Sequence, residues 1–181
     1  MNIYTKQQIL EEFRLRRYLE PVRTDCVIQR TDGVDTSRKL MMEIDQWYAN
    51  LLRTAPPEWL KTEEIATDVT LSVVSGTGAV TLTLPADVCR VVSLTIEGNA
   101  TPITPILQPS EHLLRLQQSP FTRGGRVCPV AFMPHPGSIT LFAHDANGYP
   151  PELASVIAVR HDPEIYQFDD AAWSTVPQIT I

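Results

Sequence analysis

Residues 80–98 read VTLTLPADVCRVVSLTIEG. Val80, Leu82 and Leu84 alternate with threonines, the period of a strand with one buried face. Pro85 fixes φ and removes a donor, so the chain must turn there. From Val88 to Ile96 the run is β-branched and mostly apolar, which predicts a second strand, central in its sheet. The stretch is strand, corner, strand, with an acid and a base, Asp87 and Arg90, just behind the proline. Asp87 is expected to accept backbone N–H groups at the corner. It is also placed to pair with Arg90.

The same alternation extends outward from the corner. Val69, Leu71 and Val73 precede Ser75-Gly76-Thr77-Gly78 and predict the first arm of a hairpin. After Ile96, Gly98-Asn99 turns the chain, and Pro102 and Pro105 mark the next strand as an edge or irregular one. Pro109-Ser110-Glu111 opens a short helix over 109–118. A loop follows, Phe121-Thr122-Arg123-Gly124-Gly125-Arg126. Val130–Met133 and Ser138–Ala143 flank Pro134-His135-Pro136-Gly137 as a second hairpin, and Leu153–Val159 is the last strand.

Before the corner the period is 3.6. Thr5 and Gln8 match a capping box ahead of Ile9, Leu10, Phe13 and Tyr18, with Pro21 as the expected stop. Leu40, Met41, Ile44, Trp47, Tyr48, Leu51 and Leu52 form a broad apolar stripe, capped by Asp35 or Thr36 and stopped by Pro56-Pro57. The expected architecture is α+β. N-terminal helices (1–61) pack beside a mostly antiparallel β-sandwich (62–162) with one inserted short helix, and an extended C-terminal docking tail covers 163–181. That tail carries Tyr166, Phe168 and Trp173, and aromatics at this density imply docking, on the chain's own sheet or on an adjacent protein.

The chain has 181 residues, which suits one domain with an appendage. No apolar run reaches the ~18 residues of a membrane span, and the polar, acidic start predicts neither a secretory signal nor a lipid anchor. Cys26, Cys89 and Cys128 lack CxxC spacing, which predicts reduced thiols and synthesis in the cytoplasm. Residues 1–61 hold ten Lys/Arg against nine Asp/Glu, whereas 62–181 hold five against twelve, within a net charge of -6. An acidic body disfavours tight phosphate binding, but does not exclude DNA passing nearby without sticking.

Candidate chemistry is sparse. His112, His135, His144 and His161 lie far apart, and His144-Asp145 and His161-Asp162 put adjacent side chains on opposite faces. Asp145-Ala146-Asn147-Gly148 lacks the register and closing glutamate of a calcium loop. Ser75–Gly78 sits between strands, where a phosphate loop would open a helix. Arg14, Arg16 and Arg17 are either a nucleic-acid or partner contact or a solvated face paired with Glu11 and Glu12. Arg123 and Arg126 either touch a phosphate backbone or meet a neighbour's acids. No catalytic, metal or cofactor site is expected.

Leu84–Leu94, LPADVCRVVSL, resembles the pattern LP-x-D-hydrophobic-x-R-hydrophobic-x-S-hydrophobic of neck proteins of tailed bacteriophages. The closest type is the head–tail adaptor, or tail tubular protein A-like ring protein, of short-tailed phages. The likeness continues in order through Gly98–Ile103, Pro109–Leu116, Ser119–Gly124 with Pro129–Phe132, and Ser138–Phe142, spanning roughly residues 36–160. Val88 stands where the pattern has Phe, Phe121 where it has Tyr, and 142–147 lack its proline.

The resemblance implies a structural virion protein without enzymatic activity. Such a protein forms a ring of about twelve copies, bound to the portal above and to further neck or tail proteins below. DNA passes through its bore without sequence-specific binding. Pro85, Asp87, Arg90, Arg123, Arg126, Tyr166, Phe168 and Trp173 are the interface candidates under that reading. A second expectation is a β-sandwich module that binds carbohydrate or another ligand, for which strand aromatics are few.

Overall fold

The computed structural model describes residues 1–16, 36–74, 79–99, 101–119, 121–125, 127–135, 137–143 and 151–176. In chain order the elements are β1 (Asn2–Thr5), α1 (Lys6–Arg16), α2 (Thr36–Thr54), β2 (Glu63–Glu64), β3 (Thr70–Val74), β4 (Ala79–Thr83) and β5 (Val88–Ile96). Then follow β6 (Ile106–Leu107), α3 (Glu111–Gln118), β7 (Val130–His135), β8 (Ser138–Phe142), β9 (Leu153–Arg160) and β10 (Ile165–Phe168). Short 3₁₀ turns cover Pro57–Trp59, Ala66–Asp68 and Asp170–Thr175. The protein is α+β with mostly antiparallel sheets. Contacts divide it into two units, one built from 1–61 and 161–181 and the other from 62–160. Among the described residues no helix is long and apolar enough to cross a membrane.

Unit 1 is helical with a small sheet. The Thr5 N–H donates to Gln8 Oε1 at 2.9 Å and the Gln8 N–H to Thr5 Oγ1 at 3.4 Å, a reciprocal cap that starts α1 where the sequence placed it. Ile9 and Phe13 are buried on α1, and Leu40, Ile44, Trp47, Tyr48, Leu51 and Leu52 on α2. Pro57 begins a separate 3₁₀ turn beyond the end of α2. β1 pairs antiparallel with β10, Asn2 opposite Phe168 and Thr5 opposite Ile165. Tyr18, Pro21 and Asp35 fall outside the described residues.

Unit 2 is a sandwich of a wide and a narrow sheet. The wide sheet has five strands in the order β3-β4-β8-β7-β6, the narrow one three in the order β2-β9-β5. Val80, Leu82, Ile139 and Leu141 from the wide sheet meet Val91, Leu94, Val156 and Ala158 from the narrow one in a single aliphatic core. Fully burying each valine, leucine or isoleucine among them contributes about 1.5–3 kcal/mol. α3 is inserted between the sheets' strands in sequence, capped by Ser110 Oγ, which accepts from the Leu113 N–H at 3.3 Å.

Three expectations change. First, β9, and not β5, is central in its sheet. β5 bulges three times against β9 and is met on its far side at an isolated bridge, Leu94 with Ile103, before the prolines at 102 and 105 end pairing. Its long apolar run reflects these bulges, which turn side chains inward at three-residue steps. Second, the second unit ends at Arg160 rather than 162. Third, residues 165–176 are no extended arm. They supply the partner of β1 in its sheet and a 3₁₀ turn that closes unit 1.

Candidate functional site

The corner is closed by backbone. The Val88 N–H donates to the Pro85 carbonyl at 3.1 Å, and the Leu84 N–H donates to the Gly137 carbonyl at 2.9 Å. Leu84 and Val88 are buried on either side, while Asp87 is exposed. The ion partner the structure gives Asp87 is Arg160 on β9, whose Nε lies 3.5 Å from Asp87 Oδ2. The same guanidinium pairs with Asp68 through Nη2, and its Nε lies 4.0 Å from Glu63 Oε2. Register explains the meeting, because Val88 stands opposite Arg160 in the β5–β9 ladder. Arg90 is half-buried on β5, and burial pulls its pKa below the usual guanidinium value.

Glu64 is a second anchor that sequence patterning missed. Its Oε1 accepts from the Val156 N–H at 2.7 Å and the Ala66 N–H at 3.0 Å, and its Oε2 accepts from the Ser155 hydroxyl. Desolvation opposes its charge, but the hydrogen bonds from Ser155, Val156, Ala66 and Ile65 prevail and hold the carboxyl below its ordinary pKa. Glu64 and Arg160 meet partners about ninety positions away, so no local spacing marks either one.

Arg123 lies exposed in the loop after α3, and Arg126 falls outside the described residues. That loop is held from beneath. The Gly124 N–H donates to the buried Gln117 side chain at 2.6 Å, and the Arg123 N–H to the Ser119 carbonyl at 2.9 Å. A Cβ at Gly124 would stand 2.9 Å from the Phe142 carbonyl and 3.0 Å from Val130, so only glycine lets the loop lie this close to the wide sheet. Phe121 at its tip is 95% exposed.

Tyr166, Phe168 and Trp173 are core residues of unit 1 rather than docking residues. Trp173 stacks on Trp47 with centroids 5.5 Å apart, Phe168 meets Trp173 edge-on at 5.3 Å, and Tyr4 stacks on Phe168 at 5.3 Å. The Tyr166 hydroxyl donates to Asp45 Oδ1 at 2.5 Å. Burial first, then this contact with Asp45, pushes its pKa above the usual tyrosine value. The physical reason for the correction is that the aromatic face of α2 and the free edge of β1 both need covering, and the chain's end is what covers them. Arg16 is absorbed in the same way, lying 4.4 Å over the Trp173 ring and pairing with Glu12 at 3.4 Å. Arg14 donates to Ser37 at 2.9 Å. Arg17, His144, Asp145–Gly148 and Ser75–Gly78 lie outside the described residues.

The remaining feature is the pair of flanks on the wide sheet. β3 ends it on one side, with Leu71 and Val73 exposed, and β6 on the other, with Ile106 and Leu107 exposed. Among the described residues no three His, Cys, Asp or Glu side chains converge as a metal-binding group. No protein-family model matches the sequence, and no curated protein matches it.

Proposed function

We propose that this chain is a structural subunit of a tailed-phage neck. It is a head–tail adaptor that rings with copies of itself beneath the portal and leaves a channel through which DNA is retained and then ejected. The observation that carries the reading is the ordered series of motifs from Leu84 to Phe142, which begins at the corner and continues through α3, its loop, β7 and β8. All of these segments fall within unit 2. A ring needs head-to-tail contacts that close by rotation, and the flanking strands β3 and β6, each paired on one side only among the described residues, have surfaces for them. Unit 2 holds five Lys/Arg against eight Asp/Glu over 62–160. An acidic wall suits a bore, because basic walls would trap a sliding polyanion.

The test is co-purification with a portal ring followed by electron microscopy. Rings stacked on the portal are the expected result, together with no tight binding of duplex DNA at physiological salt. Solitary molecules in finished particles, or a catalytic turnover abolished by Asp or His replacement, would overturn the reading.

A further inference from the structure

Leu71 and Val73 face the wrong way for surface residues. In the β3–β4 ladder Leu71 stands opposite Leu82 and Val73 opposite Val80. Directly paired residues of antiparallel strands share a face, so Leu71 and Val73 point to the core side of the wide sheet. Leu82 and Val80 are fully buried there, whereas Leu71 is 40% and Val73 54% exposed. Val80 and Leu82 on β4 share the core cluster with the narrow sheet's Val91, Leu94, Val156 and Ala158, and Leu71 and Val73 on β3 lie outside it. The core face therefore runs on as an uncovered apolar shelf. β3 also carries no charge, proline or bulge, the usual protections of an edge strand.

The opposite flank of the same sheet is concave. β6 pairs with β7 only at Phe132 and Met133, so the start of β7, at Val130 and Ala131, meets β8 on one side and opens on the other. The segment before β6 swings away to bridge β5 at Ile103. Between them lies a cleft of about 400 Å³ whose walls include Ile103, Ile106, Val127, Cys128, Val130 and Ala131.

Among the described residues, neither the shelf strand nor the cleft lining carries a charged side chain, although 20% of the chain is charged and its net charge is -6. Copies of an acidic protein repel one another except where they present neutral surfaces. One flank is an apolar edge, and the other recedes and mixes apolar side chains with Asn99, Thr101 and Thr104. They close opposite ends of one five-stranded sheet, so they cannot meet within one molecule. We infer that the β3 shelf of one copy seats in the β6–β7 cleft of the next. This joins copies head to tail and covers Leu71 and Val73. The contact is heterologous, the kind that propagates into rings or filaments and not into closed two-fold pairs. The inference rests on the ring reading above for its setting, and it names the surfaces that make the ring.

Cys128 in the cleft is exposed and provides a native crosslinking handle. The full chain with Cys26 and Cys89 replaced by Ser and Val73→Cys is oxidised with copper phenanthroline and dioxygen, then run on a non-reducing gel. The expected result is a ladder of covalent oligomers that collapses when Cys128→Ser is added. In parallel, Val73→Lys on the parent chain weakens self-association about tenfold or more, measured by sedimentation, with an unchanged circular dichroism spectrum.

Crosslinks that survive Cys128→Ser mean that β3 meets β3, and they overturn the inference. Oligomers that form without crosslinks and tolerate Val73→Lys overturn it too, while the ring reading stands. Protection of 127–131 from hydrogen exchange by portal alone assigns the cleft to that partner and overturns it, as does a monomer under every condition. A crosslinked ladder whose rings do not bind portal upholds the contact and sinks the neck reading instead.

Discussion

Unit 1 and unit 2 are held together by different kinds of core, and each depends on a different reach of the chain. Unit 1 is aromatic. Tyr4, Phe13, Trp47, Tyr48, Phe168 and Trp173 touch ring to ring, and they come from three stretches separated by more than a hundred positions in places. Unit 2 is aliphatic, built from one continuous run, 62–160. Closing the loop between the two chain ends costs entropy before any ring contact forms. A core assembled this way must concentrate its stabilisation in a few large side chains, and offset stacks and edge-on pairs add about 0.5–1.5 kcal/mol beyond area alone. A continuous unit can distribute the same task over many methyl groups.

The strongest way to break this comparison is to truncate one large residue on each side. Trp173→Ala removes a ring that contacts Tyr4, Phe13, Trp47 and Phe168, and the expected loss is about 3–5 kcal/mol in unit 1. Leu141→Ala, at a fully buried position in unit 2, costs about 2–5 kcal/mol there. The three tryptophans, at 47, 59 and 173, all lie in unit 1, so fluorescence in urea reports that unit, and protection of the amides of 62–160 from hydrogen exchange in the same urea series reports unit 2. Trp173→Ala shifts the fluorescence midpoint, and Leu141→Ala shifts the amide-protection midpoint of 62–160. If either variant moved both midpoints equally, the two cores would unfold as one.

The sequence was legible where structure is local. The capping box at Thr5 and Gln8, the stripe on α2, the corner at Pro85 and both hairpins of the wide sheet follow from spacing alone. It was not legible where partners are distant. Nothing around Arg160 announces that its guanidinium will gather Asp68, Asp87 and Glu63. Nothing around Trp173 says that α2 lies beneath it. β5 was misjudged because β-branched residues mark a strand without marking its place in a sheet. The uncovered shelf was hidden for a related reason. Leu71 and Val73 alternate like any half-buried strand, and only the width of the facing sheet decides whether they are covered.

A smaller effect sharpens the contrast at high pH. Tyr166 is held protonated by burial and by the neighbouring Asp45 carboxylate, so its folded pKa stands above the unfolded value. The contribution is fully present below the ordinary tyrosine pKa of about 10 and is lost as pH rises beyond it, because the unfolded chain releases the proton first. Unit 1 is therefore expected to weaken above about pH 10, and Tyr166→Phe to flatten that dependence. The measurement is the fluorescence midpoint in urea across the alkaline range, for Tyr166→Phe and parent side by side. Parallel pH profiles for Tyr166→Phe and parent would remove Tyr166 from the account.

The smallest expected effect is at the corner itself. Asp87→Ala changes a side chain that is 46% exposed, and its Arg160 partner is shared with Asp68 and Glu63. The turn does not need the carboxylate to close, since the Val88 N–H already has the Pro85 carbonyl. Removing one acid of three also relieves like-charge crowding around a single guanidinium. The loss in unit 2 is expected to stay within about 1 kcal/mol and to shrink further in high salt. Asp68→Ala, which strips the Nη2 contact of Arg160, is the more costly of the two. The urea midpoint of amide protection over 62–160 distinguishes them. A larger loss from Asp87 than from Asp68 would mean that the corner is held by its acid, and that the β4–β5 reversal is not fixed by proline and backbone alone.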